Sequence, residues 1–212
     1  LPDRMNLLLL SQEDISTPGH IRISGRRLAH LRQVQKIAVG DTLRAGLANG
    51  PIGKAHVLAI NGENAELQIE LTQSPPAKLP LTLILALPRP KMLRRILQTI
   101  AALGVPRLIL INSYRVEKSF WQTPFLEPAA IREQLLLGLE QARDTVIPEI
   151  RLEKRFQPFV EDHIREITGD TLGIVAHPGD FQECPRNPGR PVTLAIGPEG
   201  GWIPYEIELL EK

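Results

Sequence analysis

Apolar residues divide the chain into two regions of different rhythm. In residues 1–72 they fall in short strand-like pieces, Met5 to Leu10, Thr42 to Leu47, Ile52 to Ile60 and Ala65 to Leu71. One piece differs: Gly25 to Val34 places Leu28, Leu31 and Val34 at helical spacing, with Arg26, Arg27 and Arg32 on the other faces. Val39-Gly40-Asp41, Asn49-Gly50-Pro51 and Asn61-Gly62-Glu63 read as turns, because Asn and Gly tolerate the positive φ that hairpins need. This order predicts a small β-barrel domain with one short helix. Residues 73–80 hold Pro75, Pro76 and Pro80 without packed periodicity and are predicted to be a linker.

From residue 81 the rhythm changes. Leu81 to Leu87 is a nearly unbroken apolar run, the pattern of a strand buried on both faces. Lys91 to Leu103 places Met92, Ile96, Ile100 and Leu103 on one helical stripe ending at Gly104, and Arg107 to Ile111 is the next strand. A βαβ unit of this kind implies a parallel sheet. Helices near Pro128 to Ala142, near Pro158 to Thr168 and after Pro204, with strands near Glu149 to Leu152, Thr171 to Ala176 and Val192 to Ile196, make residues 81–212 an α/β domain.

Composition narrows the classes. With 42% hydrophobic and 23% charged residues the chain is ordinarily globular. Cys184 is the single cysteine, so an internal disulfide and a thiolate-clustered metal site are both excluded. That usage fits a reducing, cytoplasmic setting, and no metal is expected. No apolar run approaches the ~20 residues of a membrane span, so no membrane partner is expected either.

The net charge of +1 conceals a division. Residues 15–40 contain Arg22, Arg26, Arg27, Arg32 and Lys36 and no acid; residues 71–116 contain seven bases and no acid, Lys91, Arg94, Arg95 and Arg115 among them. Residues 117–212 hold 10 bases against 17 acids. Two acid-free basic segments point to a polyanion such as a phosphate backbone, or to no more than a solvated surface. Aromatic residues make up only 4% of the chain, which argues against a base-stacking platform.

In open α/β sheets the ligand lies beyond the carboxyl ends of the strands. Three loops there carry chemistry: Pro88-Arg89-Pro90-Lys91, His177-Pro178-Gly179, and Gly197-Pro198-Glu199-Gly200-Gly201-Trp202 after Ile196. The last lets backbone approach a ligand closely, or is simply a strand-to-helix turn. It is neither a P-loop nor a dinucleotide fingerprint. His177 is either a hydrogen-bonded strand end or a ligand contact. Cys184 is read as non-catalytic; Glu140-Gln141 closes a helix and either caps it, faces a pocket or, by default, sits on the surface.

Taken in order, Ala86-Leu87-Pro88-Arg89-Pro90-Lys91-Met92, Leu103-Gly104-Val105, Ser113-Tyr114-Arg115, Glu140-Gln141 with Pro148-Glu149, His177-Pro178 and Ile196-Gly197-Pro198-Glu199-Gly200-Gly201 resemble the SPOUT RNA methyltransferases, specifically the RsmE group. That group methylates N3 of a uridine in small-subunit ribosomal RNA. The resemblance implies a PUA-like β-barrel at the N-terminus, an α/β trefoil-knot domain with S-adenosylmethionine in its loops, and a homodimer. Carried over by position, His177, Pro178, Gly179, Ile196, Gly197, Pro198, Glu199, Gly200 and Gly201 would line the cofactor pocket. Arg89, Lys91 and the basic helix of residues 26–36, with Arg26, Arg27, Arg32 and Lys36, would hold RNA phosphates, and charge adds Arg22, Arg94, Arg95 and Arg115 to the RNA-binding set. Arg89 would be the cation that stabilises charge developing on uracil. The group has an Arg-aromatic strand where this chain has Arg4-Met5, and Gly then Arg at Arg143 and Asp144. It also continues past Leu209-Leu210-Glu211-Lys212 with a segment that supplies a third cofactor loop, so the resemblance implies a chain cut short of that loop. A non-catalytic RNA-binding protein and a small-molecule enzyme with an unrelated glycine loop are the rival readings; steep salt dependence of RNA affinity separates the last from the others.

Overall fold

The structure, a computed structural model, describes residues 6–179 and 183–212. Two compact units emerge, one of Leu1–Ala77 with Leu136–Ile147, the other of Lys78–Leu135 with Pro148–Lys212. Among the described residues no helix is long and apolar enough to cross a membrane.

The first unit is a six-stranded mixed half-barrel. Its strands are β1 (Leu8–Leu10), β2 (Ile15–Thr17), β3 (His20–Ser24), β4 (Thr42–Leu47), β5 (Ile52–Ile60) and β6 (Asn64–Gln73), in the spatial order β1-β4-β5-β6-β3-β2. β1 pairs with β4 in parallel and the other pairs are antiparallel. β3 alternates Ile21 and Ile23 inward with His20, Arg22 and Ser24 outward, as a sheet with one solvated face requires. Sequence periodicity missed β2 and β3, and Met5, where a strand was expected to begin, lies outside the described residues. Helix α1 (Gly25–His30) passes into a π-turn over Leu31–Gln35, and Lys36 ends it in the left-handed region at φ 53°. Leu28 and Leu31 are buried with Leu8, Leu10, Ala45 and Leu67.

Leu136–Ile147 joins this unit through polar contacts. Asn49 N–H donates to the Thr145 carbonyl at 2.8 Å, Thr145 Oγ1 to the Gly50 carbonyl at 2.6 Å, and Ile147 N–H to Asn49 Oδ1 at 2.9 Å. Asn49 can turn the chain here because it accepts φ 58°.

The second unit is a five-stranded parallel sheet of β7 (Leu81–Ala86), β8 (Arg107–Ile111), β9 (Glu149–Glu153), β10 (Leu172–Ala176) and β11 (Val192–Ile196), ordered β10-β11-β7-β8-β9. Helices α2 (Pro90–Leu103), α3 (Pro128–Ala142), α4 (Phe156–Thr168) and α5 (Pro204–Leu210) complete the order along the chain. The apolar run of β7 sits at the centre of the sheet, where both its faces are covered. One expectation is corrected: α2 buries Leu93, Leu97, Ile100 and Ala101, while Met92 and Leu103 are exposed. Gly104, at φ 74°, closes α2 as its left-handed cap.

Candidate functional site

All five strands of the second unit are parallel, so the loops after β7, β8, β10 and β11 leave from one edge of the sheet. The chain runs outward from β7 through β8 to β9, then returns on the other side of β7 as β10 and β11. The reversal lies between β7 and β11, the place where a parallel sheet opens a crevice. A cleft of about 480 Å³ is found there, lined by Pro88, Arg89, Met92, Ile96, Pro198 and Glu199. Met92 and Ile96, two positions of the stripe expected on α2, are therefore cleft-lining.

Arg89 stands between Pro88 and Pro90, in the extended conformation (φ −53°, ψ 143°) that a residue before proline favours, and Pro90 opens α2. Its Nε lies 3.7 Å from Glu199 Oε1 across the cleft mouth, both side chains being largely solvent-exposed. Such a pair is weak, of order 0–1 kcal/mol, so Arg89 is free to exchange Glu199 for another anion.

The glycine loop after β11 is built from backbone. Gly201 N–H donates to the Pro198 carbonyl at 2.8 Å, and Gly201 itself takes φ 76°. A Cβ on Gly197 would fall 3.1 Å from Trp202 N, and one on Gly200 would fall 3.0 Å from Arg115 Cδ. Arg115, expected at RNA, donates instead to the Gly200 carbonyl. Glu206, only 2% exposed, accepts from Tyr114 N–H at 2.7 Å and from Ile203 N–H at 3.0 Å. The β8 loop and the glycine loop are thus fastened at two points, by Arg115 and by Glu206. Sequence reasoning missed Glu206; a carboxylate two residues after Pro204, at the third position of a proline-led helix, was the available signal. Trp202, 2% exposed, packs against Gly197 and beside Phe156 at 6.0 Å between ring centroids. Its Nε1 and Ser113 Oγ are buried without a hydrogen-bond partner among the described residues.

Ile196 ends β11, and His177 follows β10 half-buried, with Pro178 and Gly179 exposed. β10 and β11 are neighbours, so their loops emerge side by side. Cys184 is exposed. Among the described residues no group of three His, Cys, Asp or Glu side chains is gathered to hold a metal ion.

The basic residues of α2 are exposed on its first turns: Lys91, Arg94 and Arg95, with the Arg94 guanidinium 5.2 Å from the Phe125 ring centroid. In the first unit Arg26 and Lys36 are exposed, Arg22 pairs with Glu66 at 3.1 Å, and Arg32 donates to the Gly62 carbonyl at 3.2 Å. Arg27 is different. Its guanidinium is held by both oxygens of buried Asp14 and by the Leu9 carbonyl, which removes it from the outward-facing set. Burial alone would raise Asp14, but Arg27 and the Ser11 N–H outweigh it and leave that carboxyl below its usual range. Glu140, expected on the surface, is 8% exposed in this unit; burial pushes its carboxyl up to about 7, against the pull of Arg26 and Arg27.

The RNA methyltransferase domain family matches residues 75–212. Ribosomal RNA small subunit methyltransferase E of Treponema pallidum is 30% identical over 220 residues, covering 95% of this chain and 78% of its own. Ribosomal RNA small subunit methyltransferase E 1 of Borreliella burgdorferi is 20% identical, covering 98% and 86%. The structure of ribosomal RNA small subunit methyltransferase E from Neisseria gonorrhoeae bound to S-adenosyl methionine has the same fold, with a TM-score of 0.73 at 17% identity over 98% of this chain and 85% of that one. A putative methyltransferase from Legionella pneumophila in complex with the same cofactor gives 0.69 at 21%, over 98% and 86%.

Proposed function

The chain belongs to the RNA methyltransferase domain family, in the group of ribosomal RNA small subunit methyltransferase E, and from that premise we propose that it methylates N3 of a uridine in small-subunit ribosomal RNA with S-adenosylmethionine as donor. Family membership carries methyl transfer to small-subunit ribosomal RNA and does not favour the non-catalytic alternative. The observation that carries the site is the glycine loop at the reversal between β7 and β11, fastened to Arg115 and Glu206 beside the cleft of Arg89.

The residues present fit the cofactor. A Cβ at Gly197 or Gly200 would crowd Trp202 or Arg115 and Gly201 takes a positive φ, so this loop presents backbone, and Ser113 Oγ and Trp202 Nε1 are buried polar atoms without a hydrogen-bond partner among the described residues. In this reading His177, Pro178 and Gly179 hold the cofactor from the neighbouring loop, with Ile196 to Gly201 opposite. When bound, S-adenosylmethionine supplies an electrophilic methyl carbon. The protein orients the uridine, excludes water from the crevice, and sets a cation where uracil becomes anionic as N3 loses its proton. Arg89 takes that last role, releasing Glu199 for the base.

The reading extends to the finer features of the group: a PUA-like first unit that holds RNA through Arg26, Arg32 and Lys36, knotted cofactor loops in the second unit, a homodimer, and a cytoplasmic location. Two measurements test its core. Titration calorimetry with S-adenosylmethionine is expected to show saturable binding near one site per chain. Incubation with unmodified small-subunit ribosomal RNA, followed by nucleoside mass spectrometry, is expected to yield 3-methyluridine; methyl groups appearing on another atom would overturn the N3 assignment.

A further inference from the structure

Aromatic residues are scarce in this chain, but they are not evenly spread. Of five phenylalanines, two tryptophans and two tyrosines, the connection between β8 and α3 holds Tyr114, Phe120, Trp121 and Phe125. The connection spans residues 112–127 with only two short 3₁₀ turns, over Lys118–Gln122 and Pro124–Leu126. Loops longer than about 12–15 residues without regular structure are uncommon in compact domains and are usually functional.

This loop is ordered by its own bonds. Asn112 N–H donates to the Glu153 carbonyl at 2.9 Å, and Asn112 Oδ1 accepts from Trp121 Nε1 at 2.9 Å. Glu206 holds Tyr114 N–H, and Val116 and Leu126 anchor the loop from within as buried side chains. The aromatic side chains are left at least partly open: the Tyr114 side chain belongs to a residue 80% exposed, and Phe120, Trp121 and Phe125 are half-buried. Rings fixed on a rigid backbone lose little entropy on binding a flat partner.

Charge identifies the partner. Lys118 lies exposed in the same loop, and Arg94 of α2 already stacks on Phe125. The acids of the loop are Glu117 and Glu127, while residues 71–111, which precede it, contain six bases and no acid. Aromatic faces interleaved with guanidinium and ammonium groups suit single-stranded nucleic acid, whose bases stack while its phosphates are neutralised.

We propose that the β8–α3 connection is a stacking surface for unpaired bases of the RNA substrate, with Tyr114 and Trp121 as its principal rings. The proposal rests on the reading of this protein as an enzyme acting on RNA and adds what kind of RNA it grips: an unpaired segment with splayed bases.

The test uses the intact chain and two probes of equal charge, a ten-nucleotide oligouridylate and a ribose-phosphate decamer without bases. Because Trp202 is buried, quenching of tryptophan emission by a base reports Trp121. Oligouridylate is expected to quench and the abasic decamer not. Read by fluorescence anisotropy of end-labelled probes, Tyr114→Ala and Trp121→Ala are each expected to weaken oligouridylate binding about five- to hundred-fold while leaving abasic binding and, by calorimetry, S-adenosylmethionine affinity unchanged. Tyr114→Phe, which keeps the ring, restores affinity. Tyr114 is exposed, so its replacement does not threaten folding. Equal binding of both probes, or alanine variants that bind as wild type, overturns the stacking surface and leaves the methyltransferase reading standing. Variants that change the oligomeric state instead of RNA affinity assign the loop to a second copy of the chain. Binding of neither probe, with no methyl transfer to ribosomal RNA, removes the RNA reading itself.

Discussion

Arg115 shows how a residue's role changes once its partner is known. Charge alone placed it at RNA phosphate, but its guanidinium reaches the Gly200 carbonyl and its stem fills the space above Gly200. This charge-assisted hydrogen bond ties the glycine loop to the β8 loop. Arg115→Ala is therefore expected to weaken S-adenosylmethionine about ten-fold by calorimetry, with a smaller effect on RNA affinity; the opposite ranking would return Arg115 to the RNA. Gly200→Val places branched carbon where Arg115 now packs and is expected to reduce cofactor affinity roughly ten-fold or more with the fold intact, read by calorimetry and thermal melting. Glu140 carries a pH prediction. Its carboxyl is raised from 4.5 to about 7, so between those values the folded chain keeps a proton that the unfolded chain has released. Stability from this group is complete below about 4.5 and falls as pH rises through 7. Glu140→Gln removes the titration. Urea unfolding of the first unit is expected to match wild type near pH 4.5 and to show the variant more stable at pH 8, by up to about 2–3 kcal/mol. A variant less stable than wild type at both pH values would mean that the ionised carboxylate makes bonds a neutral amide cannot.

Elements were legible where a single pattern admitted one reading. The run at β7 matched a strand buried on both faces, and β4 and β5 were bounded by turn residues that set their limits. Helix α2 was harder because it carries two overlapping apolar stripes, Met92–Ile96 and Leu93–Leu97, meeting at Ile100. Periodicity identifies the helix but not which stripe meets the sheet. The Leu93 stripe does, and the other is left for the cleft. β3 escaped notice because only Ile21 and Ile23 alternate within it, and the joining of 136–147 to the first unit rests on Asn49, Gly50 and Thr145, pairings nearly a hundred positions apart that no local pattern encodes. The glycine loop stood out by composition, whereas its fasteners, Arg115 and Glu206, depend on how strands are ordered. One element-scale consequence lies at Gly53, where β5 passes β6 at a register shift. A Cβ there would come 1.9 Å from the Glu70 carbonyl oxygen, a collision with backbone and not with a movable side-chain end. Gly53→Ala is expected to cost at least about 2–3 kcal/mol by forcing the ladder apart. Chemical unfolding should show this loss while a circular-dichroism signal of the native sheet persists at low temperature; a change under about 0.5 kcal/mol would mean that the two strands separate there at little cost.

Across the whole molecule the two basic segments belong to different units, and within each the cations differ in what already holds them. Arg27 is held by Asp14, and Arg22 and Arg32 have partial partners in Glu66 and the Gly62 carbonyl. Arg26 and Lys36 in the first unit, and Lys91 and Arg95 in the second, stand exposed. Each cation that neutralises a phosphate releases counterions, so the salt slope of RNA affinity counts contacts independently of base identity. Replacing Arg26, Arg32 and Lys36 together by Ala is expected to lower the slope of log affinity against log salt by about 2, and replacing Lys91 and Arg95 by about 1, at roughly 0.7 per phosphate contact on unpaired RNA. For both sets S-adenosylmethionine affinity is expected to stay within two-fold of wild type. The division of labour makes a stricter demand than the loss of binding. If the first unit holds flanking RNA and the second presents the reacting base, the triple variant should raise KM for ribosomal RNA with kcat nearly unchanged, because contacts made equally in the ground and transition states lower KM alone. A fall in kcat at saturating RNA would instead show that the first unit's cations help align the uridine itself, and phosphate contact would then be part of catalysis.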